Sequence, residues 1–204
     1  MTKREEQRLE TYARIVDAAV ESLIEQGFAA TTALGVQNRV GVSRGALLHH
    51  FPTSEALSAA AVQRLVEVNI QAVRKELAAA APGPDPVSRG IGVLYRASRR
   101  RSFATELELW SASRVNDRLR TALLGAERAA RKQLNDVIDD IFGHELVSRP
   151  GYHAMVDLAV QFLRGLTVSR SIGRGGDHDR MVADWAAVMR LVLDSPAVLP
   201  SCPS

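Results

Sequence analysis

The sequence predicts an all-α protein, with an N-terminal three-helix helix-turn-helix domain followed by a larger helical bundle, about nine helices in all. Three observations predict it. Ala, Leu and Arg dominate the composition, and aromatic residues make up only 5% of the chain. Dense apolar/polar alternation, the signature of half-buried strands, is absent. Apolar residues instead recur at helical spacing between capping residues, glycines and prolines.

The first helix is read from about Glu6 to Gln26, because Leu9, Tyr12, Ala13, Val16, Ala19, Val20 and Leu23 form one apolar face. Gly27 suits its end, since glycine tolerates the left-handed conformation there. Thr31 or Thr32 can cap a second helix over about Ala33–Val40. Gly41 supplies a turn, and Ser43 caps a third helix running to about His50. Pro52 interrupts the pattern. Thr53 caps a fourth helix, with Glu55 in its first turn where a negative charge suits the helix dipole. This long helix continues through Leu57, Ala61, Leu65, Val68, Ala72 and Leu77. Ala81-Pro82-Gly83-Pro84-Asp85-Pro86 is the clearest break in the chain. Helices follow at roughly 87–100, 103–114 and 117–142. Gly143, Pro150 and Gly151 mark a second break. Two apolar helices, about 152–172 and 178–194, flank the loop Gly173-Arg174-Gly175-Gly176. The division read from this is a helix-turn-helix domain at 1–53, a second domain at 54–195 and a flexible tail at 196–204.

The paired short helices carry the functional reading. A helix-turn-helix needs a small residue at the turn and apolar residues that lock its helices together, so that one lies in the major groove of DNA. Val36, Val40, Val42, Leu47 and Phe51 can supply that lock. Arg44 is the long cation near the front of the third helix and can reach guanine O6 and N7 in bidentate fashion. Thr32, Ser43, His49 and His50 can hydrogen-bond phosphates and set the register. Gly45 and Ala46 let the backbone approach the groove floor.

The segment resembles the N-terminal domain of TetR-family transcriptional regulators. The residues that carry the resemblance are the first amphipathic helix, Gly27-Phe28, Thr31-Thr32, Val36, Gly41-Val42-Ser43, Gly45, Leu47, His50-Phe51 and Glu55-Ala56-Leu57. They span about residues 10–57. Gln161-Phe162-Leu163-Arg164-Gly165-Leu166 also looks like the penultimate helix of such proteins. Four positions depart from the family pattern. Leu48 stands where a phosphate-contacting Tyr is usual, and Ser54 where a phosphate-contacting Lys is usual. Gln37 replaces an Ala, and Gly35 sits inside the second helix at a cost of about 1 kcal/mol against Ala.

The resemblance implies that the second domain binds a ligand and dimerises. Leu94, Phe103, Leu107, Trp110, Met155, Leu158 and Phe162 are the apolar candidates for a cavity wall. Phe162, Leu166, Met181, Trp185, Val188 and Val192 are the candidates for a dimer interface, within two apolar stripes that also hold Leu158 and Ile172. The function expected is a ligand-responsive DNA-binding regulator, a repressor released from a palindromic double-stranded operator by a small-molecule effector. Release would follow from a shift in the population of conformers. The competing reading is a helical ligand-binding or partner-binding module with a weakened DNA-binding head. Arg96, Arg99, Arg100 and Arg101, followed by Arg114, Arg118 and Arg120, point to an anionic effector or to solvated helix faces. The apolar candidates point to an effector with an apolar part.

Charge and motif content narrow the class. Net charge is +3, yet residues 1–57 hold six Lys/Arg against seven Asp/Glu, and residues 86–132 hold eleven against four. The basic excess therefore lies outside the DNA-reading segment. His-Glu-x-x-His, the phosphate-loop signature and Glu-x-x-His are absent, so no enzyme is expected. No cofactor or metal is expected either: His49 and His50 are adjacent and point about 100° apart on a helix, and Asp177-His178-Asp179 reads as a helix-start cap. The single Cys202 and the charged Met1–Glu10 segment lead to the expectation of a cytoplasmic protein without membrane association.

Overall fold

In the computed structural model, which describes residues 2–173 and 176–195, every regular element is a helix. Ten are found among the described residues: α1 (Lys3–Gln26), α2 (Ala33–Val40), α3 (Arg44–His50), α4 (Ser54–Ala79), α5 (Pro86–Ser98), α6 (Arg101–Ser113), α7 (Asp117–Phe142), α8 (His144–Val147), α9 (Tyr152–Ser171) and α10 (His178–Asp194). The element the periodicity does not reveal is α8, a single turn inside the Gly143–Gly151 break. The expected tail, Cys202 and the central residues of the Gly173–Gly176 loop lie outside the described residues.

Local chemistry sets the boundaries. α1 begins three residues earlier than its apolar face suggests, because Thr2 and Glu5 form a reciprocal capping box. Asp85 caps α5 by accepting the Ser88 N–H at 3.0 Å, with Pro86 in the first turn, where its missing N–H costs nothing. Asp177 accepts the Arg180 N–H at 3.0 Å and so starts α10, as its cap reading implies.

The described residues gather into two compact units. One draws on 1–69 and 105–131, the other on 70–104 and 132–204, so α4, α6 and α7 have residues in both. In the first unit α1 packs on α2, and its interior holds Ile15, Val16, Ala19, Val20 and Leu23 from α1. Leu57, Ala61, Leu65, Leu109, Leu119 and Leu123 complete that interior. Leu9, Tyr12 and Ala13, expected on the apolar face of α1, are exposed, and Ile15 is fully buried instead. Tyr12 nevertheless has an apolar partner, stacking on Phe51 with ring centroids 5.0 Å apart.

In the second unit α5 packs against α9 and α10, burying Ile91, Val93, Leu94, Met155, Ala159, Leu163, Ala186 and Met189. Tyr152 Oη donates to Asp139 at 3.0 Å, and Arg170 Nη2 donates to the Ser98 carbonyl at 2.9 Å. Gly90 on α5 faces the Phe142 ring, and a Cβ there would lie 2.4 Å from Cε1.

Gly90→Ala should therefore destabilise the protein by about 2 kcal/mol, the usual scale of overpacking. Urea denaturation checks this, and Phe142→Leu in the same chain should recover much of the loss.

Candidate nucleic-acid interface

The reading head is built from caps inward. Thr32 has extended backbone and its Oγ1 accepts the Gly35 N–H at 3.1 Å, which starts α2. Gly41 closes α2 in the left-handed conformation, at φ 73° and ψ 30°, and its N–H donates to Gln37 O. A side chain there meets no steric obstacle, so it is the backbone conformation that selects glycine. Ser43 Oγ accepts the Ala46 N–H at 3.1 Å and starts α3. Three of the five expected locking residues, Val36, Leu47 and Phe51, are buried, while Val40 and Val42 are half-buried.

With Leu47 and Phe51 turned inward, α3 presents Arg44, Gly45, Leu48 and His49 to solvent, with Ser43 at its start. Arg44 and Leu48 are four residues apart, as are Gly45 and His49, so the four share one face. Arg44 takes part in no ion pair among the described residues. Gly45 differs from Gly41. It is helical, and a Cβ built on it approaches only Ser43 Oγ, at 3.9 Å. Among the described residues no contact requires glycine there. Thr32 is exposed and Ala46 half-buried.

His50 lies at the edge of this face. Its ring sits edge-on to Tyr12, with centroids 6.3 Å apart. Burial, then the charges of His49 and Arg8, lowers its pKa below the ordinary histidine value, so it is neutral near pH 7. The influence of Arg8 places the start of α1 beside the end of α3, an arrangement that no local pattern announces. Arg8 is thus a cation near the face that sequence reasoning did not single out.

Three cations in and beside the head are already engaged. Arg39 pairs with Glu21 and Glu25, Arg64 with Asp17 and Glu67, and Arg14 Nη2 donates to the Val40 carbonyl at 3.2 Å. Ser54 is exposed at the first position of α4, behind a Thr53 hydroxyl that accepts the Ala56 N–H at 3.1 Å. The turn into α2 is held from α6: Phe28 N–H donates to Glu108 Oε1 at 3.0 Å. A Cβ on Gly27 would stand 2.8 Å from the same oxygen, and Gly27 has φ 81°.

Gly41-Val42-Ser43-Arg44-Gly45 also spells the G-x-S-x-G string of a hydrolase nucleophile elbow. That elbow requires a strand before the serine and an exposed nucleophile with a base beside it. Here a helix precedes it, and Ser43 Oγ caps the next helix. The string fits but its setting does not.

The remaining candidates are distributed as follows. In the second unit Leu94 and Met155 are buried, Phe103 and Phe162 half-buried, and Leu158 is exposed. Leu107 and Trp110 are half-buried in the first unit. Phe162 on α9 stacks on Trp185 of α10 at 5.4 Å, and Val192 is half-buried. Leu166 is 3% exposed and belongs to the interior of its own unit. Leu158, Val168 and Ile172 on α9 are exposed, as are Met181, Val188 and Leu191 on α10. Val168 and Leu191 lie outside the expected set, although the spacings 158/165/168/172 and 181/188/191 share an i, i+7, i+10 pattern that identifies them.

The arginine cluster is partly neutralised by its neighbours. Glu76 pairs with Arg100 at 2.9 Å and with Arg96 at 3.3 Å. Hydrogen bonds from Arg100 and then Arg96 hold its carboxyl below the usual carboxylate range, against the opposing effect of burial. Arg99 lies over the Tyr95 ring, 5.8 Å from its centroid, Arg118 pairs with Glu55, and Arg120 pairs with Asp117. Among the described residues, no cluster of three or more His, Cys, Asp or Glu is placed to hold a metal ion. No described helix is long and apolar enough to cross a membrane.

Known proteins match this arrangement. The profile described as "Bacterial regulatory proteins, tetR family" matches residues 15–61, the segment from mid-α1 into α4. The HTH-type transcriptional regulator CymR of Pseudomonas putida is 31% identical over 144 residues, covering 71% of this chain and 69% of its own length. An uncharacterized HTH-type transcriptional regulator of Mycobacterium tuberculosis, Rv2912c, is 24% identical over 169 residues, covering 83% of this chain and 87% of its own. Among solved structures, the multidrug binding protein EbrR complexed with ethidium superposes with TM-score 0.60 at 22% identity, over 89% of this chain and 98% of its own. Salmonella enterica GusR superposes with TM-score 0.60 at 17% identity, over 96% and 99%. At these identities the superpositions establish the shared fold.

The two glycines of the head should respond oppositely to alanine. Gly41→Ala should lower stability by about 1–2 kcal/mol, the cost of a left-handed conformation for an L-residue. Gly45→Ala should leave stability unchanged or raise it by up to about 1 kcal/mol through helix propensity. Denaturant titration of the two variants distinguishes these outcomes.

Proposed function

The chain belongs to the tetR family of bacterial regulatory proteins, and on that premise we propose that it is a dimeric repressor released from its operator by a small-molecule effector. That it is a transcriptional regulator and not an enzyme follows from the family. The observation that carries the finer reading is the exposed face of α3, where Arg44 stands beside a glycine that the fold itself does not require.

In this reading residues 1–53 form the DNA-reading domain, 54–195 the effector and dimerisation domain, and 196–204 a tail. Arg44 forks onto a guanine in the major groove. Thr32, Ser43 and His49 lie at or beside helix starts and the open face, and they bond phosphates. Gly45 and Ala46 let the backbone descend. Arg8 adds a phosphate contact. His50, packed against Tyr12, holds the end of α3 and reaches DNA only at its rim.

Dimerisation is assigned to α9 and α10. Their exposed apolar residues, with the Phe162–Trp185 stack between them, make a surface suited to a second copy. A two-fold axis there pairs two α3 helices with half-sites about 34 Å apart. The exposure of Leu158 favours this face over a cavity wall. Leu94, Phe103, Met155 and Phe162, with Leu107 and Trp110, remain the effector candidates. The pairing of Arg96 and Arg100 with Glu76 favours an effector with an apolar part over an anionic one. A cytoplasmic location suits this activity.

Gel shifts test the assignments. Arg44→Ala should cost about 10- to 100-fold on the operator, one bidentate pair, and little on random DNA. Ser54→Lys should tighten both and steepen the salt dependence by about 0.9 for each additional phosphate neutralised. Loss on random DNA equal to that on operator would remove Arg44 from base readout.

The dimer has its own test. Val188→Glu with Leu191→Glu should convert the protein to a folded monomer by sedimentation and abolish tight binding to a palindromic duplex. A double variant that remains dimeric would move the interface elsewhere.

A further inference from the structure

We propose that Leu48 is a specificity-determining residue that reads thymine, its isobutyl group packing on the C5-methyl in the major groove. The proposal rests on the DNA-binding role of α3 and adds what that helix selects.

Leu48 lies outside the core. The inward side of α3 is occupied by Leu47 and Phe51, 5% and 4% exposed, whereas Leu48 is 46% exposed. A large apolar side chain on a short surface helix loses from its exposure whatever a partner does not cover. Its place is specific: it lies one turn beyond Arg44 on the same open face. Beside it Gly45 carries no side chain, so nothing on that flank holds the helix away from the groove.

The chemistry narrows the partner. Leucine carries no hydrogen-bond donor or charge, so it cannot grip a phosphate or read a donor/acceptor pattern. The thymine methyl is the apolar group that the major groove presents. Four residues of helix advance about 6 Å, and neighbouring bases are about 3.4 Å apart. The thymine should therefore lie one or two base pairs from the guanine bound by Arg44. The position is then sensitive to a single methyl group and indifferent to salt.

The test uses the full-length protein and a duplex pool with a random core spanning two DNA turns, selected at about 50 mM salt. The enriched duplex is rebuilt with deoxyuridine replacing thymidine at one symmetric pair of positions at a time. One pair near the Arg44-dependent guanine should weaken binding about fourfold per methyl, which is about 0.8 kcal/mol, the worth of one buried methyl. That loss should vanish in Leu48→Ala and persist in Leu48→Met. Affinity for random duplex and the salt slope should be equal in wild type and Leu48→Ala. Leu48→Asn should enrich adenine in place of that thymine, a gain that a merely destabilised variant cannot show. Indifference of the wild type to deoxyuridine at every position, or unchanged sensitivity in Leu48→Ala, overturns the inference while leaving DNA binding intact. If no sequence is enriched, the operator-binding reading falls, and this inference falls with it.

Discussion

A helix of seven residues has too few internal hydrogen bonds to persist alone, and the anchoring of α3 through Leu47 and Phe51 is the constraint on which the head depends. α2, with eight residues, is equally unable to stand alone and is held through Val36. These anchors need a core, and the first three helices are too small a body to provide a large one. The interior of their unit is accordingly completed by Leu57, Ala61 and Leu65 of α4, Leu109 of α6, and Leu119 and Leu123 of α7. Glu108, next to Leu109, then fixes the turn at Gly27-Phe28 that launches α2. The turn that launches α2 is thus tied to a residue eighty positions away in the chain.

The head was largely legible in the sequence because its determinants are local. Thr32, Gly41, Ser43, Thr53 and Asp177 act within four residues of themselves, so spacing alone places them. Side chains whose fate depends on distant packing were harder to place. Ile15 and Tyr12 exchange the roles that periodicity gives them, because Phe51 offers Tyr12 a stacking partner. Leu158 and Leu166 both lie on an apolar stripe of α9, yet one faces solvent and the other the interior, and no pattern within a single helix separates them. The arginine cluster read as excess charge because its counterion, Glu76, is on a different helix. Arg8 and Glu108 were invisible for the same reason.

Charge decides what kind of DNA reader this head can be. Non-specific binding scales with the number of phosphates neutralised, and the first 57 residues carry one more acid than base. The structure lowers the usable number further. Arg39 is bound to carboxylates, and Arg14 to a carbonyl. Ser54 offers no charge where α4 begins, and His50 is neutral. A head with so few free cations near its face gains little from the phosphate backbone alone. Discrimination must then come from contacts that depend on base identity. The same weakness has an advantage: a regulator that adheres poorly to random DNA leaves most of the genome unoccupied.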